Sequence, residues 1–226
     1  MKIGLLGGSF DPVHQGHVYI AQRVLDLFHL DQVWFMVANA PPHKLRQPIT
    51  SGYHRFAMAA IATQADDRLL ASCWELEKGG ASFTIETLDR LKRRRPDDVF
   101  CFVAGSDSLA EIHLWRDYDR LLLEHCFIFV QRPGSEVQVD RLSIPDQLKE
   151  VIRDYCPEGA QKIQNGCSYL VDIASPPISS TSIRGQLASG RLPGADVLSP
   201  GVLAYIAKYG LYEQNARSFE ESPRDY

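Results

Sequence analysis

A loop of eleven residues, Gly7–His17, constrains this chain more than any other stretch of its sequence. It follows a short apolar run, Ile3–Leu6, and precedes a helical pattern that begins near Gly16 or His17. The loop therefore joins a first strand to a first helix, where backbone N–H groups and a helix N-terminus can face an anion. Its paired glycines allow a ligand to approach the main chain closely.

Two histidines in this loop indicate a chemical function. His14 and His17 are three residues apart, so both imidazoles can point at one ligand if the helix begins between them. Two imidazoles beside an anion site suggest chemistry on a phosphoryl group rather than binding alone. A glycine-rich turn by itself is more often structural, and a histidine at a helix start is often only a cap. The whole string favours function, because a plain turn needs neither the histidines nor Gly16.

Two familiar phosphate-binding loops do not fit the string. It lacks the G-x-G-x-x-G pattern of dinucleotide-binding folds, and no Gly-Lys-Ser/Thr follows it as in a Walker A loop. An NAD-dependent dehydrogenase is therefore disfavoured.

Apolar runs and helical periodicities alternate along the chain. The runs predict strands, and the recurring three- and four-residue spacings predict helices between them. Such alternation is typical of an α/β fold with a doubly wound, mainly parallel sheet and helices on both faces. Strands are expected at Ile3–Leu6, Val33–Ala38, Leu69–Trp74, Val99–Ala104, Phe127–Val130 and Tyr169–Ile173. Helices are expected from Gly16 or His17 to about His29, at Gly52–Thr63, from Ser82–Thr84 to Arg94, at Tyr118–Leu123, around Asp146–Tyr155, from Ile178 to Gly190, and after Ser199 up to Gly210.

Length and charge set the broad class of the protein. We expect residues 1–212 to form a single domain and 213–226 a loose polar tail, since 226 residues suffice for one α/β domain with a sizeable core. A net charge of -4 gives no reason to expect a nucleic-acid or membrane-surface partner. A homo-oligomer is compatible with the sequence.

The sequence predicts a cytoplasmic protein. Met1 and Lys2 lead directly into a strand, which leaves no room for a signal peptide, and no apolar stretch approaches the ~20 residues needed to span a bilayer. The five cysteines are odd in number, widely spaced and without a C-x-x-C pair. This usage fits buried thiols in a reducing compartment and argues against a zinc site.

A second string, Ile178–Arg184, also follows a predicted strand and begins a predicted helix. Its hydroxyl side chains and N–H groups offer several donors, and Arg184 lies about one turn into the helix, which suits a triphosphate tail. A simple capping motif uses the same residue types, so the string alone is equally compatible with a structural role. Because the carboxyl ends of parallel strands meet at one edge of a sheet, both strings are expected to form one site.

Both strings carry a family resemblance. Gly8–His17 is similar to the G-[ST]-F-D-P-x-H-x-G-H signature of the nucleotidylyltransferase superfamily, and Ile178–Arg184 to its I-S-S-T-x-I-R signature. Within that superfamily the chain resembles the bacterial nicotinate-nucleotide adenylyltransferases over essentially residues 1–212, and only weakly at Ser135–Gly166. Further matches to that family are Pro41–Lys44, Ser82–Thr84 (preceded by Ala81 where the family usually has Pro), Gly105–Ser108, Trp115 and Leu211–Tyr212.

The resemblance implies a Rossmann-like fold and a reaction in which ATP and nicotinate mononucleotide give nicotinate adenine dinucleotide and pyrophosphate. Magnesium would arrive on the ATP phosphates, mostly with water ligands, because no carboxylate cluster in the sequence forms a dedicated cage. The residues implied as catalytic are His14, His17, Lys44 and Arg184. Those implied in ATP binding are Gly7, Gly8, Ser9, Phe10, His14, His17, Gly105, Asp107, Ser179, Ser180, Thr181 and Arg184. Those implied in nicotinate-mononucleotide binding are Asn39, Lys44, Thr84 and Trp115.

Several implied residues also have an ordinary structural use. Asp107 suits ribose hydroxyls or a helix cap, and Trp115 suits the nicotinate ring or a protein core. Thr84 and the backbone near Trp115 would receive the nicotinate carboxylate, and the helix N-terminus there predicts a preference for the acid over the amide. Arg55 and Arg132 either support the fold or reach a substrate, and the sequence assigns neither.

Other activities remain open at this point. A pantetheine-phosphate adenylyltransferase usually has Thr where His14 stands and lacks the Pro41–Lys44 loop. A cytidylyltransferase is a further option within the superfamily. A non-catalytic nucleotide sensor would be expected to lose a histidine or the arginine, whereas His14, His17, Lys44 and Arg184 are all present.

Overall fold

The computed structural model of the protein describes residues 1–39, 49–131, 136–157 and 163–213. The strands in this part of the chain are β1 Lys2–Gly8, β2 Gln32–Val37, β3 Leu69–Ser72, β4 Val99–Gly105, β5 Cys126–Gln131, β6 Ile152–Asp154 and β7 Ser168–Asp172. They form one sheet in the order β3-β2-β1-β4-β5-β7-β6, and every neighbouring pair is parallel. The expected doubly wound parallel sheet is confirmed.

Helices cover both faces of this sheet. In the described chain they are α1 Gln15–Leu27, α2 Gly52–Thr63, α3 Trp74–Lys78, α4 Thr84–Arg94, α5 Ser106–Ala110, α6 Tyr118–Glu124, α7 Asp146–Lys149, α8 Ser180–Ala188 and α9 Pro200–Tyr209. Buried side chains of α1, α2, α8 and α9 join one hydrophobic cluster, and those of α4, α6 and α7 join a second. Successive strand residues alternate between them, with Leu5 in the second cluster and Leu6 in the first. Because both faces are covered, the central strands are continuous apolar runs.

The strand order creates a crevice between β1 and β4. From β1 the chain builds outward through β2 to β3, and then crosses back to place β4 on the other side of β1. Ligands of doubly wound sheets bind at the carboxyl ends of the strands where the strand order reverses in this way. The Gly7–His17 string runs from the last two residues of β1 into the first turn of α1, and α5 follows β4 directly after Gly105.

The region before β7 differs from its prediction. The helix expected over Asp146–Tyr155 ends at Lys149, and Ile152–Asp154 instead forms β6 at the edge of the sheet. There Ile152 pairs with Ser168 of β7 and buries its side chain in the second cluster. Pairing satisfies backbone groups along β7, and this gain outweighs the weak helical tendency of a short segment.

Elements with clear end signals are predicted best. Helix α2 has the expected bounds, and in α9 the Ser199 Oγ accepts from the Val202 N–H at 3.4 Å, while Gly210 ends the helix with a φ of 60°. Strand β3 had no such signal. It stops at Ser72, and Trp74, which was expected in the strand, begins α3.

Some predictions fall outside the described residues. They concern Lys44, Arg132, the Pro41–Lys44 loop and the tail from residue 214 onward. They stay predictions, as does the single domain over residues 1–212. No helix in the described ranges has the length and apolar character needed to cross a membrane.

A buried arginine joins three segments of the chain. Arg55 in α2 is 1% exposed, and its guanidinium donates to four backbone carbonyls. Nη1 reaches the oxygens of Ser9 and Ala38, each at 2.7 Å. Nε reaches the oxygen of Thr50 at 2.7 Å, and Nη2 reaches that of Asn39 at 3.1 Å. Of the two roles open to Arg55, this geometry supports the structural one, because the residue fixes the loops after β1 and β2.

Replacing Arg55 by methionine should lower the free energy of unfolding by about 3 kcal/mol or more, because four partly buried carbonyls lose this donor and each unpaired group costs about 1–3 kcal/mol. Urea denaturation followed by circular dichroism measures the loss. Arg23→Met, at an exposed position in α1, is the matched control and should change stability little. Equal stabilities of the two variants would contradict the role given to Arg55.

Candidate active site

A cleft of about 660 Å³ opens at the carboxyl ends of β1 and β4. Residues of both strings line it together with the first turns of α4 and α5. The residues singled out in the sequence that line it are Gly7, Gly8, Ser9, Phe10, His14, His17, Thr84, Gly105, Asp107, Trp115, Ser179, Ser180, Thr181 and Arg184. The two strings thus meet in one cavity, as their placement after parallel strands predicts.

Aromatic packing beneath the first loop leaves no room for side chains at Gly7 and Gly8. A Cβ added at Gly7 would collide with the ring of Phe102, and one at Gly8 would lie 2.9 Å from the ring of Phe10. Phe10 has a φ of 50°, in the left-handed region, and its ring packs against Phe35 with 5.3 Å between centroids. Room for aromatic rings therefore requires these glycines, in addition to the ligand access expected from the sequence.

The two histidines form a stacked unit at the start of α1. The ring centroids of His14 and His17 lie 3.7 Å apart, and Phe10 meets His17 edge-on at 5.1 Å. The backbone N–H of His14 donates to Nδ1 of His17 at 3.2 Å. Because Nδ1 is an acceptor, the proton of a neutral His17 ring lies on Nε2. This tautomer gives the cleft an imidazole N–H donor.

Helix α8 is anchored onto the first loop. The Ser180 hydroxyl donates to the carbonyl of Pro12 at 2.9 Å, and Nη1 of Arg184 donates to the carbonyl of Asp11 at 2.6 Å. A second nitrogen of Arg184, Nη2, reaches Oγ1 of Thr181 at 3.3 Å. Direct hydrogen bonds therefore hold the two strings together, so Ser180 and Arg184 have a structural task besides any contact with phosphate.

The Asp11 carboxylate is buried beneath the same turn. Its Oδ1 accepts from the Tyr212 hydroxyl at 2.7 Å, and its Oδ2 accepts from the Thr50 N–H at 3.4 Å. Burial raises the pKa of Tyr212, and the Asp11 carboxylate adds to the rise. Burial lowers the pKa of Arg55, an effect that the Asp11 charge opposes. The chain near Tyr212 is thereby fixed to the first loop.

A further part of the cleft surrounds the start of α4. Phe83, the N-cap residue, brings no side-chain acceptor to the first-turn N–H groups, and Thr84 is the first helical residue. Trp115 also lines the cleft, with its ring edge-on to Phe102 at 6.1 Å between centroids. Asp107 is exposed in the first turn of α5. A helix N-terminus near an aromatic ring can hold a planar ring that carries a negative substituent.

Asn39, which the resemblance implied in nicotinate-mononucleotide binding, does not line the cleft. Its Nδ2 donates to the carbonyl of Gly80 at 2.9 Å, and its backbone N–H donates to Oγ of Ser82 at 3.0 Å. These bonds tie the end of β2 to the segment before α4. A direct contact between Asn39 and a mononucleotide has no support in this geometry.

Glu75 and Arg116 line the cleft but were not identified from the sequence. Glu75 is buried, and its Oε1 accepts from the Thr87 hydroxyl at 2.8 Å. Burial raises the pKa of Glu75, while hydrogen bonds from Ser82 and Thr87 oppose the rise. Glu75 lies in α3, which the sequence did not predict, so its inward position had no local signal. For Arg116, its place next to Trp115 was the available signal.

One cluster of three metal-binding side chains occurs in the described part of the chain, and it does not line the cleft. It consists of Asp89, Glu124 and His125. Arg120 already donates to both carboxylates, at 2.8 Å to Glu124 and 3.5 Å to Asp89. The Arg120 guanidinium therefore already neutralises the negative charge that would attract a metal ion to this cluster.

Comparison with known proteins shows the family of this chain. Residues 5–186 match the model of the cytidylyltransferase-like proteins. Two bacterial relatives, both named "Probable nicotinate-nucleotide adenylyltransferase", align over most of the chain. The Corynebacterium jeikeium protein is 33% identical over 92% of this chain and 98% of its own length, and the Citrifermentans bemidjiense protein is 37% identical over 94% and 98%. This chain belongs to the nicotinate-nucleotide adenylyltransferase family of cytidylyltransferase-like proteins.

Solved structures share the fold of this nucleotidyltransferase. A Plasmodium falciparum nicotinic acid mononucleotide adenylyltransferase complexed with NaAD has a TM-score of 0.72, covering 93% of this chain and 97% of that chain at 22% identity. The same enzyme complexed with APC has a TM-score of 0.70, covering 93% and 96% at 21% identity. At these identities the likeness concerns the fold alone. The Rossmann-like nucleotidylyltransferase fold that the family resemblance implied is confirmed.

The stability contributed by Glu75 should depend on pH. Because burial raises its pKa in the folded protein above the ordinary 4.5, folding favours the neutral carboxyl, and this contribution is lost as pH rises through the folded pKa. The unfolding free energy of Glu75→Gln, relative to wild type, should therefore increase across urea titrations at pH about 5, 6.5 and 8. Glu77→Gln changes an exposed carboxylate of the same helix and supplies the reference curve. A difference that stays constant across the series would show that burial does not govern the ionisation of Glu75.

Proposed function

We propose that the protein transfers the adenylyl group of ATP to nicotinate mononucleotide, giving nicotinate adenine dinucleotide and pyrophosphate for the synthesis of NAD. One observation supports the proposal most strongly. Hydrogen-bond donors of both strings, which suit phosphate groups, line the same cleft as the start of α4 and Trp115, which suit a planar ring. The family membership supports the same reaction. A cytoplasmic location belongs to the proposal, and all five cysteines are free thiols, as a reducing compartment favours.

The reaction needs positioning more than acid–base chemistry. The phosphate of the mononucleotide is already ionised near pH 7, so it requires no strong general base. One of its oxygens attacks the α-phosphorus of ATP in line. The new P–O bond forms as the bond to the bridging oxygen breaks, and pyrophosphate leaves with that electron pair. Neutralisation of the developing charge then supplies most of the catalysis.

His17 is assigned to the charge that develops at the α-phosphoryl group, because its Nδ1 contact keeps a proton on Nε2. His14, stacked on it, is assigned to the ATP phosphates. Thr181 and Arg184 are assigned to the β- and γ-phosphates, and the bond of Arg184 to the first loop fixes its guanidinium in advance. Lys44, outside the described residues, is proposed to neutralise phosphates from a facing loop.

Ser179 and Ser180 are proposed to act through N–H groups rather than hydroxyls. The Ser179 Oγ already accepts from the Ser182 N–H at 3.2 Å, and the Ser180 hydroxyl donates to Pro12. The N-terminus of α8 therefore supplies an anion site beside Arg184.

The remaining roles follow from position in the cleft. The main chain of Gly7–Phe10 is proposed to line the ATP, together with Gly105, and Asp107 is proposed to bind ribose hydroxyls. Trp115 offers a flat face to the nicotinate ring. Thr84 and the main chain near Trp115 are proposed to receive the ring carboxylate at the N-terminus of α4.

Magnesium is proposed to arrive on the ATP phosphates, with water completing its coordination. The described cleft residues group no set of three ligand side chains, and Mg²⁺ commonly keeps several waters while binding substrate phosphates. When bound, the ion neutralises charge on the leaving pyrophosphate.

A pyrophosphate-release assay with ATP and one of three acceptors tests the proposal. We expect rapid release with nicotinate mononucleotide, much slower release with nicotinamide mononucleotide and none with phosphopantetheine, because the start of α4 favours a carboxylate. Chromatography should identify nicotinate adenine dinucleotide as the other product. Comparable kcat/KM for the two mononucleotides would refute the acid preference. Release with phosphopantetheine alone would assign the chain to a different transferase.

Replacing His17 by alanine should lower kcat by about 100-fold with a much smaller change in KM, because one donor to developing charge is worth roughly 3 kcal/mol of barrier. Steady-state kinetics with both substrates measures the split.

Two further variants separate the donor at Nε2 from the helix cap at Nδ1. His17→Asn keeps an oxygen near the Nδ1 position, which can accept the His14 N–H, but it has no group near Nε2. It should lose as much turnover as the alanine variant while melting close to wild type. His17→Gln places an amide nitrogen near Nε2 and should recover part of the loss. Wild-type kcat in the asparagine variant would remove His17 from the chemistry.

A further inference from the structure

Arg116 lies at the part of the cleft that surrounds the start of α4. It follows Trp115 in the chain, and both residues line the cleft together with Phe83 and Thr84. The guanidinium carbon of Arg116 lies 3.8 Å from the centroid of the Phe83 ring. The side chain is thus held over the residue that immediately precedes α4.

An ion pair fixes the same guanidinium from a second element. Nη1 of Arg116 donates to Oε1 of Glu86, in the first turn of α4, at 2.6 Å. The Lys78 ammonium pairs with the other oxygen of Glu86. Glu86 is therefore shared by two cations, and Lys78 also interacts with the buried Glu75. Arg116 adds positive charge near the N-terminus of α4, whose dipole has the same sign. A guanidinium has five N–H donors, and the contact with Glu86 uses Nη1.

We propose that Arg116 is a specificity-determining residue that favours a mononucleotide with a ring carboxylate over the corresponding carboxamide, an inference that rests on the proposed adenylyl transfer. A planar guanidinium suits a carboxylate, because its parallel N–H groups can bind both oxygens. A carboxamide presents one acceptor oxygen and an NH₂ donor, and a guanidinium has no acceptor for that donor. Arg116 acts on the ring and not on the phosphates of ATP.

The charge of Arg116 is partly screened. Its side chain is 49% exposed, so water and salt reduce the attraction that it exerts on an anion. The expected effect is therefore moderate, and it should weaken as ionic strength rises.

The test compares kcat/KM for nicotinate and nicotinamide mononucleotide in wild type, Arg116→Gln and Arg116→Lys. Glutamine removes both the charge and the parallel N–H groups of the guanidinium. We expect kcat/KM to fall about tenfold for the acid and to change little for the amide, with an unchanged KM for ATP. Lysine keeps the charge without the parallel N–H groups, so its kcat/KM for the acid should fall less. Added KCl should lower the acid preference of wild type more than that of Arg116→Gln.

Arg120→Gln is the matched control. Arg120 lies in α6, pairs with Glu124 at 2.8 Å and does not line the cleft, so this variant should keep both wild-type kcat/KM values. An unchanged acid-to-amide ratio in Arg116→Gln, or equal losses for both mononucleotides, would overturn the inference while leaving the proposed function intact. Wild-type protein that is inactive with both mononucleotides would overturn the proposed function, and the inference with it.

Discussion

The buried guanidinium of Arg55 is the interaction on which the geometry of the site depends. Its four bonds end on main-chain carbonyls of the loops after β1 and β2 and of the segment before α2. A positive charge this deeply buried is tolerated only when its donors are satisfied and its charge is offset. Here four carbonyls accept from the donors, and the nearby Asp11 carboxylate offsets the charge. The arginine fixes the path of the first loop at Ser9, and therefore the start of α1, where both histidines lie.

The turn at residues 9–12 collects contacts from distant parts of the chain. Arg184 and Ser180 of α8 bind the carbonyls of Asp11 and Pro12, and Tyr212 binds the Asp11 carboxylate. A loop held from several sides loses little conformational freedom when a substrate binds, which is what catalysis by positioning requires. The bonds that fix α8 onto the loop also orient Arg184, so the contacts that assemble the fold also preorganise the proposed phosphate site.

Local chemistry decides what the sequence predicts well. The caps of α9 and the bounds of α2 follow from signals along the chain, and each string was recognisable because its residues are adjacent. Tertiary contacts decide the rest. Ile152–Asp154 is an edge strand because β7 offers it a partner, and Asn39 is turned toward Gly80 by a hydrogen bond that no local pattern indicates. Glu75 and Arg116 reach the cleft from elements whose orientation depends on packing.

The charge of the whole chain is a poor guide to the potential of its cleft. Both proposed substrates are phosphate anions, yet the net charge of the chain is -4. A parallel sheet places the N-termini of the following helices at one edge, and α1, α4 and α8 each have a residue of their first turn in the cleft. Each N-terminus carries a partial positive charge, to which Arg184 and Arg116 add full charges. The topology therefore places helix N-termini and two guanidinium groups where the two proposed substrates meet, among cleft residues that also include the acidic Asp107 and Glu111.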